Sequence, residues 1–217
     1  MSRKVEHCYS FVIYGDVQRY FRHILLEGFS LKNSNQHVFC VFVESEEVRS
    51  LLVSNFDIPG NYVLIVINDS KTLSKLPMKL VRYFSHRYIE SEFYHVRDAD
   101  HTNINQEKFL LELFSRSKQK SLIVRSSSEH LDPISAGLFS YKKSFLNELD
   151  YFQSSISNRI VNKIITLLIG YRYDQVLLGI FLYPKIRGVS LILSNSTVFS
   201  GEDVLLIHSD YLSGWRD

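Results

Sequence analysis

Four apolar runs of strand length set the frame of this chain: residues 9–14, His37–Val43, 62–67 and 92–96. Between them lie stretches with helical spacing, at about 18–30, from Ser45 to Asn55, and at 77–86. In the first stretch Phe21, Ile24, Leu25 and Phe29 recur on one side. Ser45 stands where a helix cap belongs, and Pro77 stands in a first turn, where its missing N–H costs nothing. Continuous apolar runs suit strands buried on both faces, as in parallel sheets. Strands alternating with helices at this pitch predict an α/β fold with a mainly parallel central sheet and flanking helices.

The pattern loosens after residue 100. Residues 105–116 are amphipathic, with Phe109, Leu110, Leu113 and Phe114 on the buried side, and 121–124 read as a short strand. A polar stretch at 125–132 leads through Pro133 and Gly137 into another strand. Helical spacing covers about 143–153, 158–170 and 174–182, with late strands at 189–193 and 204–208 and a tail at 211–217. A chain of 217 residues without a linker, repeat or low-complexity tract is expected to form one domain.

Charge and cysteine usage narrow the function classes. A net charge of +2, with basic residues dispersed along the chain, implies no nucleic-acid partner. Cys8 and Cys40 sit among strand residues without zinc-site spacing, so both are expected to be buried free thiols in a reducing cytoplasm. No apolar segment follows the N-terminal charges, and the longest apolar runs, 164–169 and 176–183, are too short to span a bilayer. A cytoplasmic protein with at most peripheral membrane contact is the expectation.

Ligands of open α/β sheets bind beyond the carboxyl ends of the strands. Three features fall at such ends: Tyr14-Gly15-Asp16, Asp98-Ala99-Asp100 and His208-Ser209-Asp210. Asp98 and Asp100, one residue apart on an extended backbone, point to one side and repel, so a positive partner belongs beside them. A hard divalent cation shared with a substrate phosphate meets that need, and a solvated acidic turn is the plainer alternative. His208 offers a nitrogen ligand that suits Mn2+ somewhat better than Mg2+, unless it is only a surface histidine. Gly15 lets a backbone approach a ligand closely. Neither a dinucleotide fingerprint nor a P-loop is present, so phosphates would be held by metal and basic side chains, Arg82 among them. Asp174 either caps a helix or, near a sugar, binds a hydroxyl or acts as general base, with Glu129 and Asp132 as further candidates for the base.

Several segments in order carry a resemblance. They are Tyr14-Gly15-Asp16 with Arg19-Tyr20, Met78-Lys79-Leu80-Val81-Arg82-Tyr83-Phe84, and Val96-Arg97-Asp98-Ala99-Asp100. Val124-Arg125, Ile134-Ser135-Ala136-Gly137-Leu138-Phe139, Tyr173-Asp174-Gln175 with Leu182-Tyr183-Pro184, and Ile207-His208-Ser209-Asp210 follow. Together they resemble small viral and bacterial glycosyltransferases of the GT-A fold with an R-D-x-D metal motif. The resemblance implies one GT-A-like domain over 1–217, with about 1–103 binding a nucleotide-sugar and about 104–217 forming the acceptor side and completing the sheet. It implies transfer from a nucleoside-diphosphate sugar to a glycan or other hydroxyl acceptor, with Mn2+ or Mg2+ bound. It assigns Asp100 to the metal, Asp98 to the ribose or a metal-bound water, and His208 to a late metal-ligand position. Tyr14, Gly15, Asp16 and Arg82 belong to the nucleotide side. Relatives often carry Arg-Asp-His where this chain has Arg125-Ser126-Ser127-Ser128, a departure that suits a non-catalytic binding domain of the same fold. A nucleotidyltransferase is the further rival, and lacks its Gly-rich, Lys-containing loop here.

Overall fold

Each apolar run of the first half becomes a strand: β1 (Val5–Val12), β2 (His37–Val43), β3 (Tyr62–Val66) and β4 (Ser91–Arg97). In the computed structural model the described residues are 5–31, 34–71, 73–100, 104–125, 132–156, 173–195, 198–200 and 202–206. The chain divides into two units, Met1–Thr102 and Asn103–Asp217. In the first, the strands run parallel in the order β3-β2-β1-β4. The chain builds outward from β1 to β3 and then returns to the other side of β1. The order therefore reverses between β1 and β4, the place where open α/β sheets leave a crevice at their carboxyl ends.

Helix α1 (Val17–Glu27) buries Phe21 and Ile24 completely, and α2 (Glu46–Asn55) buries Leu52. Phe21 meets Phe56 and Tyr62 edge-on, and Tyr62 stacks on Phe39 at 4.5 Å. The Tyr62 hydroxyl donates to the carbonyl of Ile24 at 3.2 Å, so the aromatic layer also fixes the helix backbone. Full burial of each such side chain is worth roughly 1.5–3 kcal/mol. Cys8 and Cys40 are buried free thiols in β1 and β2, and burial pushes the Cys40 thiol well up, which suits an inert core residue.

Residues 77–86, which read as an α-helix, fold instead as a 3₁₀ segment, Met78–Arg87, kinked at Phe84 (φ −111°, ψ 22°). Six consecutive residues from Leu80 to Ser85 are buried. A run enclosed on every side has no solvent face to hold an α-helical phase, so packing rather than periodicity decides its winding. The Ser10 hydroxyl also donates to the Arg82 carbonyl at 2.5 Å, pinning the segment against β1.

The second unit contains α3 (Ile104–Arg116), β5 (Ser121–Arg125), β6 (Leu138–Lys142), α4 (Leu146–Ile156), α5 (Tyr173–Leu177), α6 (Tyr183–Ile186), β7 (Ser190–Ser194) and β8 (Val204–Leu206). Strand β5 pairs antiparallel with β6 and parallel with β7, and β7 pairs parallel with β8. The helical stretch expected at 174–182 forms, but with a π turn at Leu178–Leu182, where the Tyr183 N–H reaches the Leu178 carbonyl. Pro184 brings no N–H for the Ile180 carbonyl, and the wider turn accommodates that loss. Arg125 is buried against Glu202, 2.6 Å away, and also donates to the Pro133 carbonyl at 2.8 Å and 3.0 Å. Burial works against the Glu202 carboxylate, but the bonds from Arg125, Tyr183 and the Phe199 N–H prevail and hold its pKa below the ordinary range. The expected helix at 158–170, the strand end past Leu206 and the tail lie outside the described residues.

Three imidazoles meet across the first unit's sheet. His7 stacks on His37 at 5.0 Å and on Phe93 at 5.2 Å, and it shares a 3.0 Å hydrogen bond with His95. Burial, then the neighbouring His37, lowers the His7 pKa to about 4 despite Glu6, and burial with Arg97 nearby pushes His95 well down. Burial lowers His37 as well. The folded state therefore resists protonation that the unfolded chain accepts near pH 6.5. The contribution of His7 is complete above that pH and is lost as the pH falls toward 4. Urea unfolding is expected to show stability lower by about 2 kcal/mol or more at pH 5 than at pH 7.5. His7→Phe, which keeps the ring stack, should reduce that difference, with His37 and His95 retaining part of it, and equal stability of the native chain at the two pH values would refute it.

Candidate functional site

The carboxyl ends of β1 and β4 carry the residues singled out in the sequence. Past β1 the chain turns at Gly15, whose φ of +72° is a conformation that a side chain disfavours although nothing crowds its Cβ position. That turn delivers Asp16 to the N-terminus of α1, where its carboxylate accepts the Arg19 N–H at 3.2 Å. Tyr14, just before the turn, is 38% exposed.

Past β4, Asp98 and Asp100 have different surroundings. Asp98 forms an ion pair with Arg82, a guanidinium only 3% exposed that also donates to the Arg97 carbonyl at 3.1 Å. Asp100 is exposed, with Ala99 buried between the two. The two carboxylates are thus not equivalent: one is paired with a buried cation and the other is exposed.

A cavity of about 510 Å³ opens in this unit, lined by Asp16, Gln18, Arg19, Tyr20, Arg22, His23, Leu26 and Asp100. Asp16, after β1, and Asp100, after β4, therefore share one cavity. Among the described residues no three His, Cys, Asp or Glu side chains gather tightly enough to hold a metal ion by themselves. Two carboxylates fit a hard cation that takes its remaining oxygens from phosphate and water, the usual arrangement for Mg2+. Sequence reading had not marked Arg22, His23 or Leu26. Their signal was the three-and-four spacing from Asp16 and Arg19, which places a stripe on the face of α1 away from Phe21 and Ile24.

The remaining candidates lie elsewhere. Asp174 is in the second unit, 5% exposed and in the first turn of α5 rather than at its cap. Asp132 is also in the second unit and half-buried. His208 and Glu129 lie outside the described residues. No helix among the described residues is long and apolar enough to cross a membrane.

The chain matches no protein-family profile and no curated protein sequence. Solved structures do match. A glycosyltransferase involved in glycosylation of the major capsid of PBCV-1 aligns with a TM-score of 0.52 at 13% identity, over 89% of this chain and 83% of its own. The galactosyltransferase LgtC, in complex with donor and acceptor sugar analogues, aligns with a TM-score of 0.55 at 13% identity, over 87% of this chain and 73% of its own. The fold is that of a GT-A-type transferase. At this identity the likeness concerns the arrangement of strands and helices alone.

The unequal carboxylates lead to unequal substitutions. Asp98→Ala leaves the buried Arg82 without its counter-charge and is expected to cost about 1–3 kcal/mol in urea unfolding. Asp100→Ala, at an exposed position, is expected to cost under about 1 kcal/mol. Equal losses from the two variants would contradict this assignment.

Proposed function

We propose that the protein is a metal-dependent glycosyltransferase that moves a sugar from a nucleoside-diphosphate sugar to a hydroxyl of a glycan or glycoconjugate. The observation that carries this reading is the shared cavity. Asp16 and Asp100 come to it from the strand ends that border the switch point of a GT-A-type fold. Asp100 and Asp16 would hold the cation, with His208 proposed as a nitrogen donor. A divalent cation there supplies Lewis acidity toward the leaving diphosphate. Asp98, paired with Arg82, would contact the nucleotide, as would Tyr14 and Gly15 at the end of β1. Asp174 is the proposed base for the acceptor hydroxyl.

Calorimetric titration with a panel of nucleoside diphosphates, with and without Mn2+, tests the reading directly. Mn2+-dependent binding that weakens at least tenfold in Asp100→Ala is expected, since even outer-shell losses at metal sites have about that size. No metal-dependent binding, or binding untouched by Asp100→Ala, would sink it. For the base, Asp174→Asn should lower the transfer rate about 10²–10⁴-fold while donor affinity stays within about twofold. A rate that survives the substitution removes Asp174 from the mechanism.

A further inference from the structure

Helix α1 follows the first strand where nucleotide-binding sheets often place a glycine-rich phosphate loop, and this chain has no such loop. What it has instead is a charged helix face. Asp16, Arg19, Tyr20, His23 and Leu26 recur at intervals of three and four residues, and with Gln18 and Arg22 they line the cavity that also contains Asp100. Two carboxylates oppose two guanidiniums there, so the lining is close to neutral apart from His23.

The two arginines are unlike the other candidate for phosphate. Arg82 is buried and its charge is met by Asp98. Arg19 and Arg22 are exposed, and among the described residues neither forms an ion pair. The guanidinium of Arg19 lies 6.0 Å from the centre of the Tyr20 ring, at the outer edge of a cation–π contact. Beside them the Nε2 of His23 is buried with no hydrogen-bond partner among the described residues. A buried polar atom left unmatched at a cavity wall is a common mark of a place where a ligand or ordered water belongs. Guanidiniums outside any described ion pair at such a wall present fixed donor forks that match pairs of phosphate oxygens.

We infer that Arg19 and Arg22 grip the diphosphate of the ligand within the cavity that Asp16 and Asp100 also line. The helix side chains thereby replace the missing phosphate loop, and Arg82 serves to position Asp98. This rests on the reading of the site as one for a nucleoside diphosphate, and the test separates the two.

Inorganic pyrophosphate and a panel of nucleoside diphosphates are titrated, each with Mn2+, into the full chain and into the variant Arg19→Ala/Arg22→Ala. Both positions are exposed, so the variant should melt within a few degrees of the parent. Losing two charge-assisted contacts should weaken both kinds of probe roughly 10- to 100-fold. Arg19→Lys/Arg22→Lys should recover only part of the loss, because an ammonium lacks the bidentate fork. Nucleoside diphosphate binding unchanged in the alanine variant would overturn the role of the arginines and leave the proposed function standing. Arginine-dependent pyrophosphate binding without binding of any nucleoside diphosphate would uphold the anion site and overturn the nucleotide reading. Binding of neither probe would overturn both.

Discussion

The buried guanidinium of Arg82 is the contact on which the candidate site depends. It joins the 3₁₀ segment that carries it to the end of β4, through the Arg97 carbonyl and the adjacent Asp98. The Ser10 hydroxyl binds the carbonyl of the same residue and ties the group to β1. A charge this deeply buried is stable only when it is paired and hydrogen-bonded. The 3₁₀ segment, β1 and β4 are thereby held in register at the point where the strand order reverses.

That arrangement gives the two acids of the D-x-D segment separate physical tasks. Asp98 neutralises a buried cation and fixes the path of the chain, which leaves Asp100 exposed at the cavity. Asp16 comes to the same cavity because a left-handed glycine turn ends β1 and starts α1 with an aspartate cap. A helix cap uses part of a carboxylate's hydrogen-bonding capacity and leaves some available. Structure and proposed chemistry thus draw on the same few side chains. In the second unit a comparable buried pair, Arg125 with Glu202, ties β5 to the segment before β8, supported by Tyr183 and the Pro133 carbonyl.

Some of this was legible in the residues. Strands buried on both faces are nearly continuous apolar runs, so β1 to β3 could be located to within a few residues, and Ser45 and Pro77 marked where helical segments begin. The winding of Met78–Arg87 was not legible, because six buried residues in a row erase the periodicity that distinguishes helix types. The π turn before Tyr183 was hidden for a related reason: a proline shows that a bond is lost but not how the backbone adapts. The cavity wall formed by Arg19, Arg22 and His23 was written in their spacing, yet spacing alone does not distinguish a solvated helix face from the side of a cavity.

Local rules acting through the sequence determined the alternation of strands and helices, the turn at Gly15, the cap at Asp16 and the placing of two acids just after β4. These follow from burial pattern and backbone preference, which depend on near neighbours. Only the tertiary structure decided that β4 lies beside β1, that Arg82 pairs with Asp98, and that Asp16 and Asp100 share a cavity with Arg19 and Arg22. Those outcomes depend on which charges become buried together, and desolvation acts on groups brought close in space whatever their separation along the chain.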